Sequence, residues 1–421
     1  MHYQTYSKSQ NYFTRDIMLD HGKGSHVWDT EGNEYIDFTC ALGPNLIGMS
    51  DERINKAITD QLAKGISFST PTEIEQTLCE KLISIIPGAE SIKLLKNGRD
   101  ATDAAVRLAR AYTGREYILK GGYHGFSDWT IGAEPGAKGI PFGTSKLTKK
   151  FKYNDFNDLK LRLDGYNDII DLLKKFAIYP GEIAGVIFEP VMGNGPEPGY
   201  LQAVKELCRK NGTIMIYDEV VSGARFALGG AAEYYGVTPD LTCIGKAYGG
   251  GMPISAVCGR RDIMSLIDTG QAFISTTFGG ECLSIAASLA AIEILEQPET
   301  YPHIWGLGRR MLIGLQHSID HYELNNCVST IGLPPHCGLS FKDVGSLDYL
   351  DLLSIYEETM LNNGIITSDT GFISLSHTSD DRSNFNKSAS HAMDDIAKAI
   401  KQDSTEGILT GRKISPVFKR R

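Results

Sequence analysis

The chain has 421 residues, 42% hydrophobic and 22% charged, with a formal net charge of −9 and a pI near 5.6. That length accommodates two or three domains with a sizeable core, and the negative balance argues against nucleic acid or an anionic membrane as the main partner. No apolar run approaches the ~18 residues of a membrane span, and the opening MHYQTYSKSQNYF lacks the apolar centre of a signal peptide, so the sequence reads as cytoplasmic.

The first element is GSHVWDTEGNEYIDF, which alternates apolar and polar residues on both sides of Glu31-Gly32-Asn33 and predicts a hairpin in an N-terminal segment, 1–50. From 51 to 297, helix-length segments alternate with candidate strands: SIKLLK, EYILK, AGVIFEP, TIMIYDE, LTCIG and ISAVCG. Parallel neighbours need long crossovers, so the alternation predicts an α/β domain with a mostly parallel sheet. NGRDATDAAVRLARAY reads as a helix with Ala101, Ala104, Ala105, Leu108, Ala109 and Tyr112 on one face, and with Asp103 and Arg107 paired on the other. Its glycine-led start leaves open amides suited to an anion, though an ordinary strand-turn-helix explains the same residues. Ala133 to Lys150 has the length and glycines of a lid, and equally those of a surface loop. At EQPETYP two prolines break the pattern, and a helix-rich region, 298–421, follows. Eight cysteines are scattered without zinc-ligand spacing, which predicts buried free thiols and no metal site.

Ligands of open α/β sheets bind beyond the carboxyl ends of strands. The residues there are Asn97-Gly98-Arg99, Tyr123-His124, Glu189, Asp218-Glu219 and Lys246. Lys246 sits in LTCIGKAYGGGMPIS, where a P-loop would need glycine at Asp240 and Ser or Thr at Ala247, so a nucleotide loop is excluded. A lysine just past a buried strand is paired, desolvated or covalently used. A carboxylate at the end of a buried strand, Asp218, needs a cation, either a structural arginine such as Arg225 or a protonated ring nitrogen. An amine, a carboxylate for a heterocycle and a helix terminus for phosphate together describe pyridoxal phosphate.

The chain resembles the class III (ω-type) aminotransferase family of pyridoxal-phosphate enzymes, in its glutamate-1-semialdehyde aminomutase-like branch. The resemblance runs from GSHVWDTEGNEYIDF through RLARAYTGREYILKGGYHG, FEPVMGN, YDEVVSGAR and YYGVTPDLTCIGKAYGGGMPISAVCGRRDIM to TTFGGECLSIAA and FISLSHT. It implies fold type I, a large domain with a mostly parallel sheet and a smaller α+β domain from the N- and C-terminal segments. It implies Lys246 as Schiff-base lysine, Asp218 on the pyridinium N–H, Tyr123 and Val220 on the ring faces, and backbone amides of Gly98 and Arg99 on the phosphate. Thr277 would reach the phosphate of the neighbouring subunit in a homodimer. Glu189 and Arg225 hold supporting positions, and His124 is expected to make a structural hydrogen bond.

Departures bear on activity. Where the family usually reads Ser-Gly-Thr-Glu-Ala, this chain has Asn97-Gly98-Arg99-Asp100-Ala101, so Arg99 offers a guanidinium to phosphate or to an acidic substrate. The aminomutases carry an N-terminal arginine for the substrate carboxylate, and the shorter NYFTRDIMLDHGKG supplies only Arg15. These departures favour an aminotransferase that moves nitrogen from an amine donor to a separate keto or aldehyde acceptor, cycling between pyridoxal and pyridoxamine phosphate. The alternatives are an intramolecular aminomutase and a non-catalytic binding protein on the same fold.

Overall fold

The computed structural model describes residues 13–134, 137–164 and 182–415. The chain divides into two compact units, 53–296 and 1–52 with 297–421. In chain order the strands are β1 (Leu19–Lys23), β2 (His26–Asp29), β3 (Glu34–Asp37), β4 (Ser91–Leu95), β5 (Tyr117–Gly121), β6 (Thr148–Lys150) and β7 (Ile183–Phe188). They continue with β8 (Ile214–Glu219), β9 (Leu241–Ile244), β10 (Ser255–Gly259), β11 (Val328–Leu333), β12 (His336–Phe341), β13 (Ile365–Ile366) and β14 (Thr370–Phe372).

The larger unit is built on a seven-stranded sheet in the order β4-β10-β9-β8-β7-β5-β6. Strands β9, β8, β7, β5 and β6 run parallel, and β10 is antiparallel to both its neighbours. The six expected strand segments all lie in this sheet. The seventh strand, β6, is a three-residue TKK without alternation, and it ends the segment read as a lid or loop, so that segment finishes on the sheet edge. One face of the sheet packs Ile118, Ile214, Ile216, Leu241 and Val257 against Ala101, Ala105, Leu108 and Ala109 of the helix Gly98–Thr113. The other face packs Leu119, Val186, Phe188, Met215 and Tyr217 against Leu201, Val204 and Cys208 of the helix Tyr200–Asn211. A sheet covered on both faces explains why its strands read as continuous apolar runs.

In the other unit, β2 and β3 pair antiparallel with Val27 opposite Tyr35. Asp29 fixes the turn: its carboxylate accepts from the Asn33 N–H at 2.8 Å, the Glu31 N–H at 3.0 Å and the Tyr35 hydroxyl at 3.0 Å. The helices Thr300–His321, Tyr349–Asn362 and Ser379–Gln402 share this unit with the sheet β11-β12-β14. The β11–β12 hairpin escapes sequence reading because Pro334 and Pro335, residues that signal a break, occupy its two-residue connection. All eight cysteines are free, seven of them buried. No described helix is long and apolar enough to cross a membrane.

Candidate active site

Strand periodicity decides which of two adjacent acids faces the site. Ile214 and Ile216 lie on the side of the helix Gly98–Thr113, and Met215 and Tyr217 on the opposite side. With side chains alternating, Asp218 falls on the helix side and Glu219 away from it. Asp218 is buried, and its Oδ2 accepts a 2.7 Å hydrogen bond from His124 Nδ1 while its Oδ1 accepts from the Val220 N–H at 3.1 Å. Its two oxygens are thus engaged by a histidine and a backbone amide. Buried His124 lies parallel to Trp129 at 6.2 Å, its carbonyl accepts from Thr102 Oγ1 at 2.9 Å, and its Nε2 has no hydrogen-bond partner. Glu219 instead clamps the following loop, accepting from the Ala231 N–H at 2.6 Å, the Ala232 N–H at 3.0 Å and Ser222 Oγ at 2.9 Å. Burial pushes its carboxyl up to about 7.

Lys246 follows β9 by two residues, at φ 43°. A non-glycine residue in the left-handed region carries about 1–2 kcal/mol of strain, which the surrounding packing must hold. The amine has a lowered proton affinity, first from burial and then from the fully buried Arg225, against the opposing pull of Glu189 and Asp218. More of it is therefore neutral at a given pH than for a surface lysine.

The helix Gly98–Thr113 supplies the third element. Asp100 accepts from the Asn97 N–H at 2.9 Å and from Asn97 Nδ2 at 3.2 Å, which fixes the first turn. The amides of Gly98 and Arg99 find no acceptor among the described residues and stay open for an anion. Gly98 packs on Val220 so closely that a Cβ would stand 2.7 Å from Val220 Cγ1. The Arg99 guanidinium lies 4.6 Å over the Phe126 ring, 3.6 Å from Asp100 and 4.0 Å from Asp103. It is thus turned along its own helix. The expected Asp103–Arg107 pair does not form, because Ser127 Oγ at 2.7 Å and Trp129 Nε1 at 2.6 Å take the carboxylate, and Arg107 donates to the Phe273 carbonyl at 2.5 Å.

Tyr123 is half exposed, and its N–H donates to Glu189 Oε1 at 3.0 Å. Burial, and then the Asp218 charge, raises the Glu189 carboxyl above its ordinary range. Thr277 is exposed on the loop between the helices Arg261–Asp268 and Cys282–Leu295, without a hydrogen bond to these residues among those described. Arg15 belongs to the other unit, where it donates to Asn362 Oδ1 at 3.1 Å. At the start of the candidate lid, Glu134 is held by Lys150 and, at 2.8 Å, by buried Lys120, whose ammonium also meets Thr130 Oγ1 at 2.9 Å; residues 135–136 of that segment lie outside those described. Sequence reading missed the clamp at Glu219 and the buried Lys120, which look like any strand-end residues until the sheet gives them a side.

Lys246, Asp218 and Glu189 sense one another's charge, and Asp218, Val220 and Gly98 are joined through contacts. A desolvated amine, a buried hydrogen-bonded carboxylate and open helix amides fit the carbonyl, ring nitrogen and phosphate of pyridoxal phosphate.

The Aminotransferase class-III family model matches residues 6–378. The chain is 34% identical over 393 residues to "Glutamate-1-semialdehyde 2,1-aminomutase 2" of Brevibacillus brevis, covering 87% of this chain and 88% of that protein. It is 34% identical over 410 residues to the protein of the same name from Oceanobacillus iheyensis, covering 91% and 92%. Among solved structures it is similar to an omega-transaminase from Sphaerobacter thermophilus, with a TM-score of 0.80, 26% identity, and coverage of 93% and 94%. The chain belongs to the class-III aminotransferase family and is a pyridoxal-phosphate-dependent enzyme of the transaminase and aminomutase type.

Proposed function

We propose that this enzyme is an intramolecular aminomutase of the 2,1 type, moving an amino group between adjacent carbons of an amino-aldehyde such as glutamate-1-semialdehyde. The observation that carries this reading is the 34% identity, over about nine-tenths of both chains, to two proteins named for that reaction. It reverses the preference drawn from Arg99 and Arg15, and the geometry weakens that preference further, since Asp100, Asp103 and Phe126 already engage the Arg99 side chain.

Pyridoxal phosphate, when bound, supplies an electron sink and a carrier for nitrogen. Lys246 would hold it and then, as a neutral amine, move the proton at the substrate carbon. Asp218, oriented by His124, would keep the ring nitrogen protonated. The Gly98 and Arg99 amides would take the phosphate, Val220 and Tyr123 would pack on the ring faces, and Glu189 would line the site. Thr277 would complete the phosphate site of a second copy in a homodimer.

Transfer between separate molecules is the second reading, favoured by the omega-transaminase likeness. Single-batch turnover separates the two. The pyridoxamine form of an aminomutase converts glutamate-1-semialdehyde to 5-aminolevulinate continuously without an added amine, because each cycle restores that form. Product that stops at one equivalent per site until a donor is added would overturn the aminomutase reading.

A further inference from the structure

Glu189 is a carboxylate with one oxygen committed and one uncommitted. Its Oε1 accepts from the Tyr123 N–H at 3.0 Å. The other oxygen has no hydrogen bond among the described residues, and no described cation forms an ion pair with the side chain. The side chain is largely buried with some surface left exposed, and burial raises its proton affinity, as desolvation does for an anion left without a partner.

The fold holds this carboxylate in place. Gly122, at φ 104°, sits where a Cβ would stand 2.5 Å from Glu189 Oε1, so the backbone turn before Tyr123 closes directly over the carboxylate. The charge is felt at Lys246, the amine on which the chemistry depends. Asp218, the other anion nearby, has oxygens already bonded to His124 and to the Val220 N–H. Glu189 is thus the one described carboxylate at the site with an oxygen to give.

We infer that Glu189 is a specificity-determining residue that binds a protonated amine carried by the substrate next to the carbon at which nitrogen is exchanged. The inference rests on the 2,1-aminomutase reading for its natural substrate: midway through a 2,1 shift the carbon chain carries nitrogen on two adjacent carbons. The nitrogen that is not reacting is an ammonium that must be kept from leaving. A carboxylate held by the Tyr123 amide, with its charge reaching Lys246, binds it by a charge-assisted hydrogen bond.

The test uses the holoenzyme in its pyridoxal form and two amine donors of the same shape. N,N-dimethylethylenediamine carries a tertiary ammonium two carbons from its primary amine, and isopentylamine has a carbon in its place. The half-reaction is followed by absorbance of the bound cofactor. Wild type is expected to favour the charged donor by on the order of tenfold in kcat/KM, mainly through KM, as for one hydrogen bond to a charged group. Glu189→Gln keeps an acceptor for the Tyr123 N–H and loses the charge. Its preference should fall to about one; whatever the lost charge does to Lys246 acts on both donors alike and cancels in that ratio. A folding defect lowers both rates, whereas loss of recognition moves their ratio. A wild type without the preference, or a Glu189→Gln variant that retains it, overturns the inference. Because a single half-reaction is read, the result stands apart from the turnover experiment that tests the aminomutase reading.

Discussion

At the scale of single residues, the pair His124–Asp218 shows how a chemically ordinary carboxylate is made specific. The 2.7 Å bond fixes one oxygen, the Val220 amide fixes the other, and Trp129 stacks behind the imidazole. His124→Asn removes the ring without adding bulk and should leave Asp218 free to turn. Amino transfer should then fall roughly ten- to hundredfold, the range seen when an outer partner of a working ligand is lost, and the absorbance titration of bound cofactor should shift in the same variant. Asp218→Asn should do worse, by on the order of a hundred- to a thousandfold, because it removes the charge itself. Normal turnover in His124→Asn with an unmoved titration would make the histidine a packing residue only.

At the scale of elements, the start of the helix Gly98–Thr113 has to satisfy two demands. It needs open amides, and it needs to lie against Val220 with no atom between. Alanine is the better helix former by about 1 kcal/mol within a helix interior, yet at position 98 its methyl would stand 2.7 Å from Val220 Cγ1. The clash should win, since a displaced first turn carries its amides with it. Gly98→Ala is expected to lose cofactor on dialysis, and Val220→Ala placed in the same chain should restore part of it, a coupling that independent sites do not show. Equal cofactor retention in the single variant and in wild type would rule out this contact as the reason for glycine.

At the scale of the molecule, stability should carry a pH signature from the smaller unit. Glu357 is buried, neither of its oxygens meets a full hydrogen bond, and the Thr14 backbone gives only partial compensation. Burial pushes its carboxyl up to about 8 from an ordinary 4.5. The unfolded chain therefore releases a proton between those values that the folded chain keeps. This contribution to stability is complete below pH 4.5 and is lost as pH rises through 8. Glu357→Gln should match wild type near the acid end and exceed it by a few kcal/mol above pH 8, at about 1.4 kcal/mol per pKa unit, in urea unfolding. A constant difference across the range would assign the effect to packing. Assembly gives the other whole-molecule prediction. If Thr277 completes a partner's phosphate site, Thr277→Val should remain a dimer by light scattering while releasing cofactor more readily, and an active wild-type monomer would contradict the arrangement.

The class of the fold and the addresses of its strand-end residues are legible in the order of residues alone. Apolar runs such as TIMIYDE and LTCIG are strands because branched side chains covered on both faces suit a buried parallel sheet, and the residue that ends such a run must lie at the carboxyl end of the parallel strands. Lys246 and Asp218 could be placed that way because their positions depend on local order along the chain. The partners of those residues could not. His124 lies 94 positions from Asp218 and Glu189 lies 66 from Tyr123. The expected Asp103–Arg107 pair gave way to donors from residues 127 and 129. These partners emerge on folding, because a hydrogen bond is made by whichever donor packing brings within about 3 Å, and packing is a property of the folded sheet and helices together rather than of any window of sequence.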